Sequence, residues 1–280
     1  MGEISAADVS KLRKMTGAGM MDCKKALQEA AGDFEKAVEI IRKKGQAVAT
    51  KRADHEASEG VVLAKVSFDA QHGAMVALNC ETDFVAKNDD FVNLAGQILD
   101  LAIEKQPADL EELKKLPFKQ ATVEEVVVQQ IGIIGEKIEL SFYDHLTAPQ
   151  VTAYIHPGNK LATLVGLNQK DVDKQVGKDV AMQVAAMNPV AVDKSDVAHE
   201  ILEKEREIAR DQTKNDPKNV GKPDEILERI TEGKLQKFLK ENTLLNQDFI
   251  KENKKSVGQY LKEVNPQLTV SGFLRYSLRD

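Results

Sequence analysis

An acid and a large apolar ring stand side by side in Cys80-Glu81-Thr82-Asp83-Phe84-Val85-Ala86-Lys87-Asn88. The stretch follows an alternating segment, Ala74-Met75-Val76-Ala77-Leu78-Asn79, and precedes a polar stretch and then an amphipathic one. Strand ends and the loops after them are where a rigid scaffold presents its working groups. Asp83 belongs in water and Phe84 does not. Two readings stay open. Phe84 folds back and staples the following helix to the sheet, or it is a wedge for a partner, carried with an acid that can disturb a bound cation or phosphate.

The other candidates for chemistry fail on spacing. A phosphate-cradling loop needs Gly-Lys followed by Ser or Thr, but Gly177-Lys178 precedes Asp179, Gly221-Lys222 precedes Pro223 and Gly233-Lys234 precedes Leu235. Gly17-Ala18-Gly19-Met20-Met21-Asp22 begins like a dinucleotide fingerprint, yet it ends on Asp22 and has no strand before it. His55, His72, His145, His156 and His199 are scattered, and His55-Glu56 has no second histidine four residues on. Cys80 is a conceivable nucleophile, but Glu81 and Asp83 would raise its pKa. No cofactor and no metal site is expected.

Composition narrows the class further. The chain has 280 residues, enough for two or three compact units. Charged residues make up 30% and the net charge is −6, which argues against nonspecific nucleic-acid binding. Aromatics are 5% with no tryptophan, so a base-stacking platform is not expected. Cys23 and Cys80 sit far apart with no Cys-x-x-Cys pair and read as reduced, apolar residues of a cytosolic protein. No apolar run reaches the roughly 20 residues that span a bilayer. Met1-Gly2-Glu3-Ile4-Ser5-Ala6 fits neither a signal peptide nor a myristoylation site. A cytoplasmic location is expected.

The elements that must position the acid–ring pair come next. Residues 1 to 45 read as three short helices, with Ser5 capping the first, Thr16-Gly17-Ala18-Gly19 turning, Gly32-Asp33 stopping the second and capping the third, and Gly45 ending it. A polar, alanine-rich linker follows from Gln46 to Glu59. Two similar segments then set the architecture. The first is a strand over 60–68, a return strand over 74–79, the Asp83-Phe84 loop and a helix over 91–99. The second is a strand over 151–155, a return strand over 161–167 and a helix over 180–187. Closing strands are expected over 137–143 and 268–278. The class is therefore α+β, with units at 1–55, 56–146 and 147–280. An insertion over 195–241 reads as two helices, the second capped by Asp224. They should pair as an antiparallel hairpin, either projecting or lying flat.

At this point the residues resemble a known family. Leu12-Arg13-Lys14-Met15-Thr16-Gly17-Ala18-Gly19-Met20-Met21-Asp22-Cys23-Lys24-Lys25-Ala26-Leu27 and Asn79-Cys80-Glu81-Thr82-Asp83-Phe84-Val85-Ala86 both resemble bacterial elongation factor Ts. Ile134-Gly135-Glu136-Lys137-Ile138 and Val180-Ala181-Met182-Gln183-Val184-Ala185-Ala186 are similar to further family segments. The resemblance implies a ubiquitin-associated-like (UBA-like) three-helix module, a two-lobed core and a coiled-coil hairpin. It also implies the activity: guanine nucleotide exchange, in which the protein binds elongation factor Tu and promotes GDP release without covalent chemistry. By that resemblance Thr82, Asp83, Phe84 and Val85 dislocate the partner's magnesium ion. Leu12, Arg13, Met20, Met21 and Lys24 lie on an N-terminal contact face, Ile134, Gly135 and His156 at core contacts, and Phe249 at a contact with another partner domain. Some members continue into a C-terminal helical module that also touches the partner; this sequence ends at Arg279-Asp280, which leaves that contact open.

Met20 and Met21 are neighbours on a helix and point about 100° apart, so at least one should be exposed. Two competing functions remain in view. A UBA-like binding adaptor without exchange activity would have no need of the Asp83-Phe84 stretch. An enzyme using Cys80 would be abolished by alkylation. Direct nucleic-acid and membrane partners are not expected, and self-association as a homodimer is left open.

Overall fold

The computed structural model describes residues 4–119 and 121–279; Met1, Gly2, Glu3, Gln120 and Asp280, and with them part of the leader reading, lie outside the described residues. The chain opens with α1 (Ala6–Thr16), α2 (Met20–Glu29) and α3 (Phe34–Lys51). Ser5 and Asp8 exchange the two bonds of a capping box, Gly17 ends α1 in the left-handed region at φ 72°, and Asp33 caps α3. Leu12, Cys23, Leu27 and Ala37 form the buried centre of this bundle.

Gly45 does not end α3, which continues to Lys51. The glycine is there for closeness rather than for a turn. A Cβ on Gly132 would stand 2.5 Å from Gly45 Cα, so the two helices cross with backbones nearly touching.

The core follows in chain order: β1 (Glu59–Val66), β2 (His72–Cys80), α4 (Asp83–Ala86), α5 (Asp89–Lys105), α6 (Leu110–Lys115), β3 (Pro117–Phe118), β4 (Ala121–Thr122), α7 (Val123–Ile134) and β5 (Ile138–Thr147). Then come β6 (Gln150–Ile155), β7 (Leu161–Leu167), α8 (Lys174–Met187), α9 (His199–Lys214), α10 (Asp224–Asn242), β8 (Asp248–Phe249), β9 (Glu252–Ser256), α11 (Val257–Val264) and β10 (Val270–Ser277). Two antiparallel three-stranded sheets result, β1-β2-β5 and β10-β7-β6. Each puts the return strand of its hairpin in the middle and its late strand beside it, so the repeated pattern in sequence is a repeated topology. The fold is α+β. Ser67 and Phe68, expected in the first strand, lie in the turn, where Phe68 is exposed.

Side chains alternate across a strand, and here both faces are buried. Val61 and Leu63 of β1, with Val76 and Leu78 of β2, face the helices α5 and α7. Val62, Ala64, Met75 and Ala77 face the other way, onto Val151, Ala162 and Leu164 of the second sheet. Val165 and Leu167 of β7 pack against Val180 and Val184 of α8 and Leu261 of α11. Helices thus cover the outer faces of two sheets that share one buried layer.

Helices α9 and α10 run antiparallel. Val197, Leu235 and Leu239 pack at their base. Farther out along the two helices only Ala209, Thr213 and Thr231 are buried, with Asn219 of the connecting turn, while Ile208 and Ile226 are exposed, so the apolar seam thins toward the tip. Asp224 does not cap α10: Pro223 holds the cap position without a side-chain bond, and Asp224 is the first helical residue.

Candidate partner-contact surface

β2 ends at Cys80, and two residues later the chain turns into α4, a single helical turn where a loop was expected. The Thr82 Oγ1 accepts from Val85 N at 3.4 Å and caps it. Thr82 is itself fixed from outside: its backbone N and its hydroxyl donate to the Glu136 carboxylate at 3.1 and 2.7 Å. Glu136 reaches this place because Gly135 closes α7 in the left-handed region at φ 84° and swings the next residues back. Ala86 is buried and Val85 packs partly on the same core. That leaves Asp83 and Phe84 facing out.

The Phe84 ring is 84% exposed, so it is not a staple between helix and sheet. Asp83 is half-exposed and accepts from Lys87 Nζ at 2.6 Å, one turn along. That bond, and then the charge behind it, holds the Asp83 carboxyl below its ordinary pKa. Lys160 of the β6–β7 turn also lowers it, which puts that turn beside α4. The turn is tied to the first sheet by Val62 N donating to Asn159 O at 2.6 Å and by an ion pair between Lys160 and Glu59. His156 stands exposed in it, its Nδ1 3.0 Å from the Tyr154 hydroxyl. Three segments distant in sequence therefore meet: α4, the α7–β5 corner with Ile134 and Gly135, and the turn carrying His156.

Glu81 lies beneath α4. Burial would raise its pKa, but the Lys137 backbone N–H at 2.6 Å and the Arg52 and His55 side chains outweigh burial and hold it at about 2. Its folded pKa is below the ordinary 4.5, so the folded state prefers the carboxylate. The stability this brings is complete above roughly pH 5 and disappears as pH falls toward the folded value. Glu81→Gln is expected to lower the melting temperature at pH 7, with the gap to wild type closing between pH 4.5 and about 2. A gap independent of pH in calorimetry would rule out the ionised carboxylate as its source.

Arg13, Met20, Met21 and Lys24 are exposed on the N-terminal bundle, and the two methionines are 60% and 64% accessible. Leu12 is a correction: it is fully buried at the bundle centre, so it supports that face from behind and offers no contact surface. Phe249 is a second correction. It is buried and stacks on Tyr260 with ring centroids 4.3 Å apart, while its neighbour Ile250 is exposed.

Nothing here favours nucleophilic chemistry at Cys80. The thiol is buried, donates to Thr82 O at 3.2 Å, and is pushed up to about 12 by burial, then by Glu136 and Glu59. Among the described residues, no three His, Cys, Asp or Glu side chains gather as a metal site, and no helix is long and apolar enough to cross a membrane. The braces themselves, Arg52, Glu136 and Lys137, were missed from sequence. Glu136 and Lys137 stand beside Gly135 in sequence, but only the fold brings Glu136 to Thr82 and Lys137 to Glu81.

Comparison with known proteins gives the chain its family. The sequence profile of the family described as Elongation factor TS matches residues 81–280. The Elongation factor Ts of Amoebophilus asiaticus is 53% identical over 97% of this chain and 98% of its own length. Those of Christiangramia forsetii and Porphyromonas gingivalis are each 50% identical, over 99% and 98% of this chain and 100% and 98% of their own lengths. An α+β scaffold with these relatives is a translation elongation factor. More narrowly, the chain belongs to the elongation factor Ts family.

Proposed function

We propose that this protein is a guanine nucleotide exchange factor that binds elongation factor Tu and promotes GDP release by dislocating the magnesium ion beside the nucleotide. The observation that carries this reading is the Phe84 ring, 84% exposed on a turn braced from two sides. A single exposed ring is ordinary on a protein surface, and Phe68 is exposed too; what sets Phe84 apart is that it stands beside an acid on a turn clamped by Glu136. Asp83 travels with it, its carboxylate engaged by nothing stronger than an exposed lysine.

The energetics call for more than the ring. Nanomolar GDP binding is about 12 kcal/mol, and speeding release ~10⁴-fold needs about 5.5 kcal/mol of differential stabilisation. Burying one Phe contributes roughly 1.5 to 3 kcal/mol. The remainder must come from weakened ion and phosphate coordination and from contacts made better with the nucleotide-free partner. GDP then weakens the complex by the factor by which the complex weakens GDP. The exposed Met20, Met21, Arg13 and Lys24 supply a second patch for that grip. Replacing Met20 and Met21 together by alanine is expected to weaken capture about tenfold without shifting the melting curve; an unchanged titration would make the patch passive.

The deciding experiment mixes the chain with elongation factor Tu carrying a fluorescent GDP analogue. Accelerated loss of signal supports exchange. Binding without acceleration, or no binding at all, removes the exchange reading and leaves the adaptor.

A further inference from the structure

An isolated helix of four residues has no stability of its own, because nucleating one turn costs more than its bonds return. What orients α4 must therefore lie outside it. Part of that is the Glu136 clamp on Thr82. The rest lies one residue earlier. The Glu81 carboxylate receives Arg52 Nη1 at 2.9 and 2.8 Å, the Lys137 backbone N–H at 2.6 Å and His55 Nδ1 at 3.1 Å. Lys137 Nζ in turn donates to the carbonyls of Ala53 and His55 at 2.9 and 3.0 Å. The residue that closes α3, the end of β2 and the start of β5 are thus knotted together directly under the Phe84 turn.

Arg52 is the one member of this knot that belongs to the N-terminal helices, as the cap residue of α3. Helix α3 is seated on α7 through the Gly45–Gly132 crossing, and α7 delivers Glu136 to Thr82. The seating of the bundle and the aim of Phe84 are therefore two ends of one mechanical chain. We propose that Arg52 is a positioning residue for exchange: through Glu81 it sets the orientation of α4, and it makes the N-terminal contact and the Phe84 contact act together. The proposal deepens the exchange reading and rests on it.

Two readouts separate them. In GDP release at saturating factor, Arg52→Met should lower the maximal rate about tenfold or more, since a misaim of about 1 Å is enough for that. The half-saturating concentration should stay within about twofold, because the other patches still grip. Arg52→Lys should retain most of the rate. Arg52→Met should add nothing in a Phe84→Ala background, because both act through one ring. In the free protein, Arg52→Met should speed amide hydrogen exchange at Val85, Ala86 and Lys87. A wild-type maximal rate, a loss residing wholly in half-saturation, or effects additive with Phe84→Ala would overturn the proposal. If wild type itself releases no GDP, the exchange reading falls. Amide exchange then still decides the clamp, and unchanged protection of the three amides in Arg52→Met would end it.

Discussion

Replacing Phe84 by alanine is expected to slow GDP release from elongation factor Tu by about 10- to 100-fold, the rate equivalent of the roughly 1.5 to 3 kcal/mol that burying such a ring contributes. The fold should not notice. The ring is 84% exposed, so the truncation removes almost no native contact, and alanine is a better helix former than phenylalanine. Stopped-flow release and thermal melting of the same preparation give the answer together. A slow variant with an unchanged melting curve is the expected pair. A rate equal to wild type refutes the wedge, and a large drop in melting temperature would mean that the ring is structural after all. Val85 makes a useful contrast, because it packs on the core. Its truncation should cost stability as well as rate.

The second large effect is on stability and has a counter-intuitive sign. Glycine in the interior of a helix is ordinarily a weakness, and alanine in its place gains up to about 1 kcal/mol. Gly233 of α10 should behave that way, because a Cβ there meets nothing within 4 Å. Gly132 of α7 should do the opposite. Its Cβ would lie 2.5 Å from Gly45 Cα, against backbone that has no rotamer to escape into. Gly132→Ala must prise α3 off α7, at a cost of about 1 to 3 kcal/mol for overpacking. Denaturant titration of the two variants side by side is the check, and equal shifts in the same direction would show that the crossing is loose.

The contrast between these glycines shows where the sequence is legible. Apolar runs announced β1, β2 and β7; the Ala74–Asn79 segment, read as alternating, is in fact apolar at nearly every position, as a strand buried on both faces needs, with Met75-Val76-Ala77-Leu78 split between two cores. The caps at Ser5 and Asp33 were readable because the partners lie within three residues. Gly45 was misread as a stop because its reason is Gly132, far along the chain. The Asp83-Phe84 segment was read as loop for the same cause: Thr82 supplies a local cap, but the brace that makes one turn worth forming is Glu136. Helix α7 went unread. Its Val123-Glu124-Glu125-Val126-Val127-Val128 opening is rich in β-branched residues, which lowers helix propensity. The site divides likewise. The motif named Asp83 and Phe84, which do face out, and it named Leu12 and Phe249, which do not. A motif lists residues without saying which of them face solvent.

β2 is the middle strand of its sheet, and all but one of its residues are buried between a helical layer and a second sheet. The Phe84 turn is spliced to its end across only two residues. Load applied to that ring is therefore delivered to a strand packed on both faces, with little free volume to retreat into. In such a collision the anvil stays put, and any give must be found in the other body.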